Sequence, residues 1–297
     1  MTLETESLQD GDVPAWWQAL GLPGLCDVHV HFLPEPMQAK VWAQFDSAGP
    51  LIGRPWPIRY RGSDQERVEH LRALGVRRFS ALSYAHRPGM AEWLNDWAAG
   101  FAAEVPECLR SATFYPEPGA ERYVAERLSS GVDVFKVHVQ VGGFDLRDPL
   151  LDPVWGLVAE AGTPVVIHAG SGPVPTEHTG PTPLAAVLER HPALTAVVAH
   201  MGAPEYRPFL ELAERFERTH LDTTMAFVSF FEEAAPFPRD LLPRVRKLGL
   251  DGKVLLGTDF PNIPYAYGHQ LEVLQGLDLG DDWLRAVCWD NGVRLVA

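Results

Sequence analysis

The chain has 297 residues, of which 46% are hydrophobic and 22% charged, with no long charge run. That is enough apolar material for one large core, and it excludes a chain disordered by composition. A formal charge of −14 excludes a broad basic groove for nucleic acid, which needs clustered Lys and Arg, but leaves room for a few local arginines around an anionic substrate.

Cys26, Cys108 and Cys288 are far apart and form no CxxC pair. This fits a reducing compartment and argues against a disulfide framework or a thiolate zinc site. Residues 1–12 are acidic and lack an apolar signal region, and no apolar run approaches the ~20 residues that cross a bilayer. The expectation is a cytoplasmic protein whose partner is a small-molecule substrate, with no nucleic-acid or membrane partner and with homo-oligomerisation left open.

Residues 1–23 read as an N-terminal extension and 24–297 as one domain. Within that domain a short apolar, β-branched run is followed by Gly or Pro and then by an amphipathic stretch, again and again. The candidate strands are 26–32, 77–84, 109–116, 132–140, 164–170, 194–202, 220–225 and 253–261. The stretches 64–74, 89–101, 119–129, 152–161, 183–190, 206–218 and 239–248 carry apolar residues at helical spacing, and 281–296 reads as a closing helix. Gly75, Gly131, Gly162 and Gly249 sit where a helix C-cap belongs. Alternating strands and helices imply a parallel sheet with right-handed crossovers. Eight such units close into a (β/α)8 barrel, and no Gly-rich phosphate turn supports an open doubly wound sheet. The long segments 33–63 and 171–182 leave the carboxyl ends of strands, where barrel active sites are built.

The chemistry gathers at those strand ends. In Asp27-Val28-His29-Val30-His31, strict alternation would place Asp27, His29 and His31 on the inner face, with Cys26, Val28, Val30 and Phe32 against the helices. On that reading Cys26 is inert. His168 closes the run Val165-Val166-Ile167, His200 closes Val197-Val198-Ala199, and Asp259 closes Leu255-Leu256-Gly257-Thr258. In a barrel these positions converge on one point. Burying four imidazoles and a carboxylate without partners is costly, whereas a divalent cation gives them a common partner. Nitrogen donors with one carboxylate and no thiolate favour Zn2+, with Mn2+, Fe2+ or Co2+ as alternatives.

This ordered set, with the segments DVHVHF, PVVIHAG, AVVAHMG and LLGTDFP and the ending 289–295, resembles the amidohydrolase superfamily. The finer resemblance is to its amidohydrolase-related, aminocarboxymuconate-semialdehyde decarboxylase-like branch, over about residues 24–297. The resemblance implies that His29, His31, His168 and Asp259 hold the metal and that His200 is the catalytic or second-metal histidine. A cation with an open position acidifies water to a pKa of about 7 and polarises a carbonyl, and Asp259 and His200 are the candidates for moving the proton.

On the fourth candidate strand Lys136 and His138 share the inner face. An inward Lys there resembles superfamily members in which a carboxylated Lys bridges two metals, and others in which an unmodified Lys binds substrate. The expectation is one ion, two if Lys136 is carboxylated, with Lys136 unmodified and paired to Asp27, and with His138 facing the pocket. His178 and Arg54, from the two long segments, join Lys136 and His138 as substrate-binding candidates. His70, His86, His191, His220 and His269 read as packing or surface residues. The leading function is hydrolysis of a C–N or C–O bond in a small amide, ester or lactone. The alternative is nonoxidative decarboxylation of a small aromatic or unsaturated acid. A noncatalytic binding barrel would not need the full His and Asp set.

Overall fold

The computed structural model describes residues 8–297, so the part of the expected N-terminal extension before residue 8 lies outside the described residues. Its strands are β1 (Leu25–Asp27), β2 (Val76–Ser80), β3 (Cys108–Leu109), β4 (Ser111–Thr113), β5 (Val134–His138), β6 (Val165–His168), β7 (Ala196–Val198), β8 (Thr219–Asp222) and β9 (Val254–Leu255). Each pairs in parallel with its sequence neighbour, in the runs β1-β2-β3 and β4 through β9. β3 and β4 are halves of one strand, parted at Arg110, whose amide donates to the Asp133 carboxylate at 2.8 Å instead of to the ladder. The seam is closed by backbone bonds. The Val28 amide donates to the Leu256 carbonyl (2.9 Å), the Asp259 amide to the His29 carbonyl (2.8 Å) and the His31 amide to the Phe260 carbonyl (2.7 Å). The result is the expected (β/α)8 barrel, with the strands buried on both faces as near-continuous Val, Ile and Leu runs require.

The main apolar core lies between strands and helices. A second cluster, of Cys26, Val28, Leu82, Leu109, Val134, Val166, Val197 and Leu255, fills the barrel and is closed below by Trp289, Val293, Leu295 and Val296. This corrects the expected facing of the first strand. Leu25 faces the helices and Cys26 and Val28 point inward, so the alternation breaks only between Val28 and His29. Asp27 points to the helix side, where it accepts from the hydroxyls of Thr258 (2.6 Å) and Tyr267 (3.0 Å). The ladder ends at Asp27, which lets His29 turn back toward the interior after Val28.

The helix Asp64–Leu74 starts with a reciprocal capping box between Ser63 and Glu66 and ends on left-handed Gly75. The helices Ala91–Glu104, Ala120–Ser129, Asp152–Ala161, Pro181–Arg190, Tyr206–Arg215 and Leu242–Leu250 follow the expected order with shifted ends. Gly249 is not a cap. It lies inside its helix, where an added Cβ would meet Trp283 Nε1 at 2.1 Å, and the left-handed residue is Gly252. Two helices of ten residues or more were not expected: Glu35–Asp46, inside the 33–63 segment, and Tyr267–Gly276, after β9. The closing stretch is Asp281–Arg285, a π turn over Ala286–Asp290, and Asn291–Leu295.

Residues ahead of β1 pack on this body. Trp17 Nε1 in the helix Val13–Ala19 donates to the Leu74 carbonyl at 3.0 Å. Asp10 accepts from the Tyr60 hydroxyl at 2.6 Å and from the Gly268 amide at 3.1 Å, and lies 3.0 Å from His70 Nε2.

Candidate active site

A cavity of about 580 Å³ opens at the carboxyl ends of the strands. Its floor holds His29, His31, Lys136, His138, His168, His200 and Asp259, and its walls include Phe45, Trp56, Tyr84, Met225, Phe230 and Phe231. Phe45 and Trp56 come from the segment after β1, Tyr84 from that after β2, and Met225, Phe230 and Phe231 from that after β8, and the first is tied across the mouth to its neighbours. Trp56 Nε1 donates to the Asn262 carbonyl at 2.7 Å. Arg54 Nη1 lies 3.1 Å from Glu233, with its guanidinium 4.5 Å above the Phe230 ring.

Hydrogen-bond partners fix where each imidazole holds its lone pair. A carbonyl or an ionised carboxylate only accepts, so a ring nitrogen bonded to one must carry the proton. His29 Nδ1 is 2.8 Å from Asp222 Oδ2, His31 Nδ1 is 2.8 Å from the Leu82 carbonyl, and His200 Nδ1 is 3.3 Å from the Thr224 carbonyl. All three rings therefore present Nε2 as an acceptor. His31 Nε2 lies 2.7 Å and His29 Nε2 3.3 Å from Asp259 Oδ1. Atoms of His29, His200 and Asp259 lie within 4.8 Å of one another. Two acceptors 2.7 Å apart repel unless positive charge lies between them. The buried Thr224 Oγ1, also on the cavity wall, has no hydrogen-bond partner among the described residues. The donor set thus fits a cation. The backbone turns outward to present it: His200 has φ 56° and Asp259 φ 66°.

The amidohydrolase family profile matches residues 26–297. The chain belongs to the amidohydrolase family. It is thus an enzyme of that family, as the sequence motifs implied. No curated protein sequence matches significantly. Solved structures share the fold at low identity. An uncharacterized TIM-barrel protein from Bordetella bronchiseptica is 19% identical, with a TM-score of 0.73 over 92% of this chain and 98% of its own. A 5-carboxyvanillate decarboxylase from Novosphingobium aromaticivorans, complexed with manganese and 4-hydroxy-3-methoxy-5-nitrobenzoic acid, is 13% identical (TM-score 0.60, 98% of this chain, 99% of its own). A probable 2-pyrone-4,6-dicarboxylic acid hydrolase from Acinetobacter baumannii, with citric acid bound, is 14% identical (TM-score 0.60, 92% and 99%).

Burial sets the electrostatics of this amidohydrolase. It pushes His29 and His200 down to about 4, and His138 and His168 well below the usual imidazole range. At neutral pH these rings are uncharged and their lone pairs are available. Burial opposes ionisation of Asp259 and Asp222, but the histidines beside them outweigh it and hold both carboxyls well below the usual range. Asp222 is the residue that sequence reasoning missed. Besides holding His29, its Oδ1 accepts from the amides of His200 (2.9 Å) and Thr224 (3.1 Å). Gly257 gives it room, since a Cβ there would lie 2.3 Å from Thr224 Oγ1, 2.8 Å from His29 Cβ and 3.2 Å from Asp222 Cβ.

Lys136 is buried, with Nζ 3.2 Å from His29 Nε2. Burial pulls it down to about 8, against the pull of Asp222 and Asp259. These two carboxylates, not Asp27, are its charge partners. Asp27 is pushed up to about 7 by burial, despite its bonds from Thr258, the His29 amide and Tyr267. His168 Nε2 donates to the Gly172 carbonyl at 3.0 Å, leaving Nδ1 as its lone-pair nitrogen, and its ring stacks on His138 at 3.8 Å. Arg54 and His138 line the cavity; His178 does not, and its Nδ1 lies 4.0 Å from Asp145. Tyr84, at the end of the second candidate strand, also lines the cavity. Only its place at that strand's end marks it, because Arg77, Arg78, Ser80 and Ser83 leave no apolar run for it to interrupt.

Proposed function

We propose that this amidohydrolase uses a divalent cation to hydrolyse a C–O or C–N bond in a small ester, lactone or amide. The observation that carries the reading is the convergence of three imidazole lone pairs and the Asp259 carboxylate at the foot of a cavity with apolar walls. His29, His31, His168 and Asp259 would hold the ion, and His200 would flank it. The nitrogen-rich donor set favours Zn2+, with Mn2+ as the alternative. When bound, the ion supplies Lewis acidity toward a carbonyl and acidifies water. Asp259, held ionised, accepts the proton of the attacking water. Asp259 then returns that proton to the leaving group, while His200, neutral at pH 7 with its Nε2 lone pair toward the cavity, accepts a hydrogen bond from the attacking water and orients it. Phe45, Trp56, Phe230 and Phe231 exclude bulk water from the substrate, and Lys136 keeps His29 and the carboxylates in register. One ion with unmodified Lys136 suffices, because the carboxylates of Asp222 and Asp259 remain as charge partners of Nζ when His29 Nε2 gives its lone pair to the ion. The three buried free thiols support a cytoplasmic setting, and among the described residues no helix is long and apolar enough to cross a membrane.

Decarboxylation is the second reading. It is favoured by Arg54, a cation held over an aromatic wall at the mouth, which suits the carboxylate of an aromatic acid. The test is metal analysis of purified protein, then turnover of lactones, esters, amides and hydroxybenzoates by the metal-loaded enzyme. Hydrolysis products that vanish in His200→Asn support the proposal. Release of CO2 without hydrolysis replaces it with the second reading.

A further inference from the structure

The cavity histidines do not all face it in the same chemical sense. His29, His31 and His200 hold their protons on Nδ1 and present lone pairs. His138 is reversed. Its Nδ1 accepts from the Val141 amide at 3.3 Å, and an amide only donates, so the neutral ring must carry its proton on Nε2. No other hydrogen bond is made by this ring among the described residues, and the residue lines the cavity. Tyr84 stands next to it, with ring centroids 5.0 Å apart, and lies edge-on to His31 at 6.0 Å. Its phenol is half-buried, lines the same cavity and makes no hydrogen bond among the described residues. Packing fixes both rings: His138 stacks on His168 at 3.8 Å and 11°, and Tyr84 is wedged between His31 and His138. Two O–H and N–H donors, oriented without partners, thus stand beside a cluster of acceptors.

We propose that Tyr84 Oη and His138 Nε2 form a donor pair for an anionic oxygen of the substrate's acyl group. This inference rests on the cation-centre reading above. Acceptors bind the cation while the donors take the oxygen that bears negative charge, so substrate orientation is set by a division of the cavity floor into two halves. Donors placed in advance for a developing oxyanion are the arrangement that most favours acyl transfer. Lys136 is not part of the pair, since its Nζ lies against His29 and is held by the charges of Asp222 and Asp259.

The probe is benzoate, whose ring suits the aromatic walls and whose carboxylate suits the donors. Its dissociation constant would be measured by calorimetry on metal-loaded wild type, Tyr84→Phe and His138→Phe, alongside the metal affinity of each protein. Both variants keep a ring in place, and Tyr84→Phe deletes a single oxygen, so an unchanged melting temperature shows that the site is intact. Each lost bond to a charged oxygen should weaken benzoate about tenfold or more, with metal affinity within about twofold of wild type. The donor pair is overturned if wild type does not bind benzoate, if Tyr84→Phe binds it as tightly as wild type, or if metal affinity falls in parallel. Loss of benzoate affinity in a protein that hydrolyses nothing in the substrate panel keeps the donor pair and discards the hydrolase reading. Hydrolysis with unchanged benzoate affinity does the reverse.

Discussion

Asp222→Asn tests how the cation-facing set is held. The carboxylate accepts three bonds: from His29 Nδ1 at 2.8 Å and from the amides of His200 and Thr224 at 2.9 and 3.1 Å. Asparagine keeps one oxygen, which can still serve the two amides. Its NH2 group must then face His29 Nδ1, and two donors cannot pair. His29 would have to move its proton to Nε2, which puts an N–H where the cation needs a lone pair. Removing such a supporting partner costs 10–100-fold in metal affinity, or about 1.4–2.8 kcal/mol at ~1.4 kcal/mol per decade. Loss of the charge-assisted bond alone, about 1.5–3 kcal/mol, is of the same size. Calorimetric titration of metal-stripped protein with Zn2+ and Mn2+ gives the answer, with circular dichroism confirming the fold. Wild-type metal affinity in Asp222→Asn would refute the tautomer argument.

Gly257→Ala should lower stability by about 1–3 kcal/mol through overpacking and reduce turnover by shifting His29; an unchanged thermal midpoint would show that the contact relaxes freely. His220, on β8, is pushed down to about 4 by burial and by Lys253, against the Gly252 carbonyl. The unfolded chain therefore binds more protons between about pH 6.5 and 4. This stability, about 3 kcal/mol, is full above pH 6.5 and is lost as pH falls to about 4. Urea midpoints across that window should fall less steeply in His220→Gln than in wild type. Asp10→Ala strips the Tyr60 hydroxyl and the Gly268 amide of their acceptor and should cost about 1–3 kcal/mol, read as a lower urea midpoint, with little change in metal affinity.

The barrel and most of the residues that line the candidate site were legible because each of His168, His200 and Asp259 closes an apolar run, and only the carboxyl end of a buried strand gives that contrast. Asp222 gave none: His220-Leu221-Asp222-Thr223-Thr224 is polar almost throughout, so no residue in it stands out. Asp27 was misplaced because alternation assumes an unbroken ladder, and the end of the ladder at Asp27, ahead of His29, leaves no mark in composition. The helix Glu35–Asp46 was hidden by its own prolines, which read as loop signals yet occupy the first turn, where a missing N–H does no harm. The helix Tyr267–Gly276 buries Tyr267, His269 and Gln270 as well as Leu271 and Leu274, so it has no polar stripe for periodicity to detect. The tautomers, and with them the split between acceptors and donors, depend on partners far away in the chain and belong to the tertiary structure alone.

The seam between β1 and β9 has a consequence for biosynthesis. His31 and Asp259 are separated by 228 residues yet meet at 2.7 Å across that seam. During translation the first histidines emerge long before the carboxylate that faces them, and no partial chain can gather the set. Closing so long a loop is slow and is not rewarded until it is complete. An ion that binds only the closed form acts as a clasp on the ring of strands, adding stability as RT ln(1 + [ion]/Kd). In the cell, metal supply would then set how much newly made protein stays closed as well as how much of it can react.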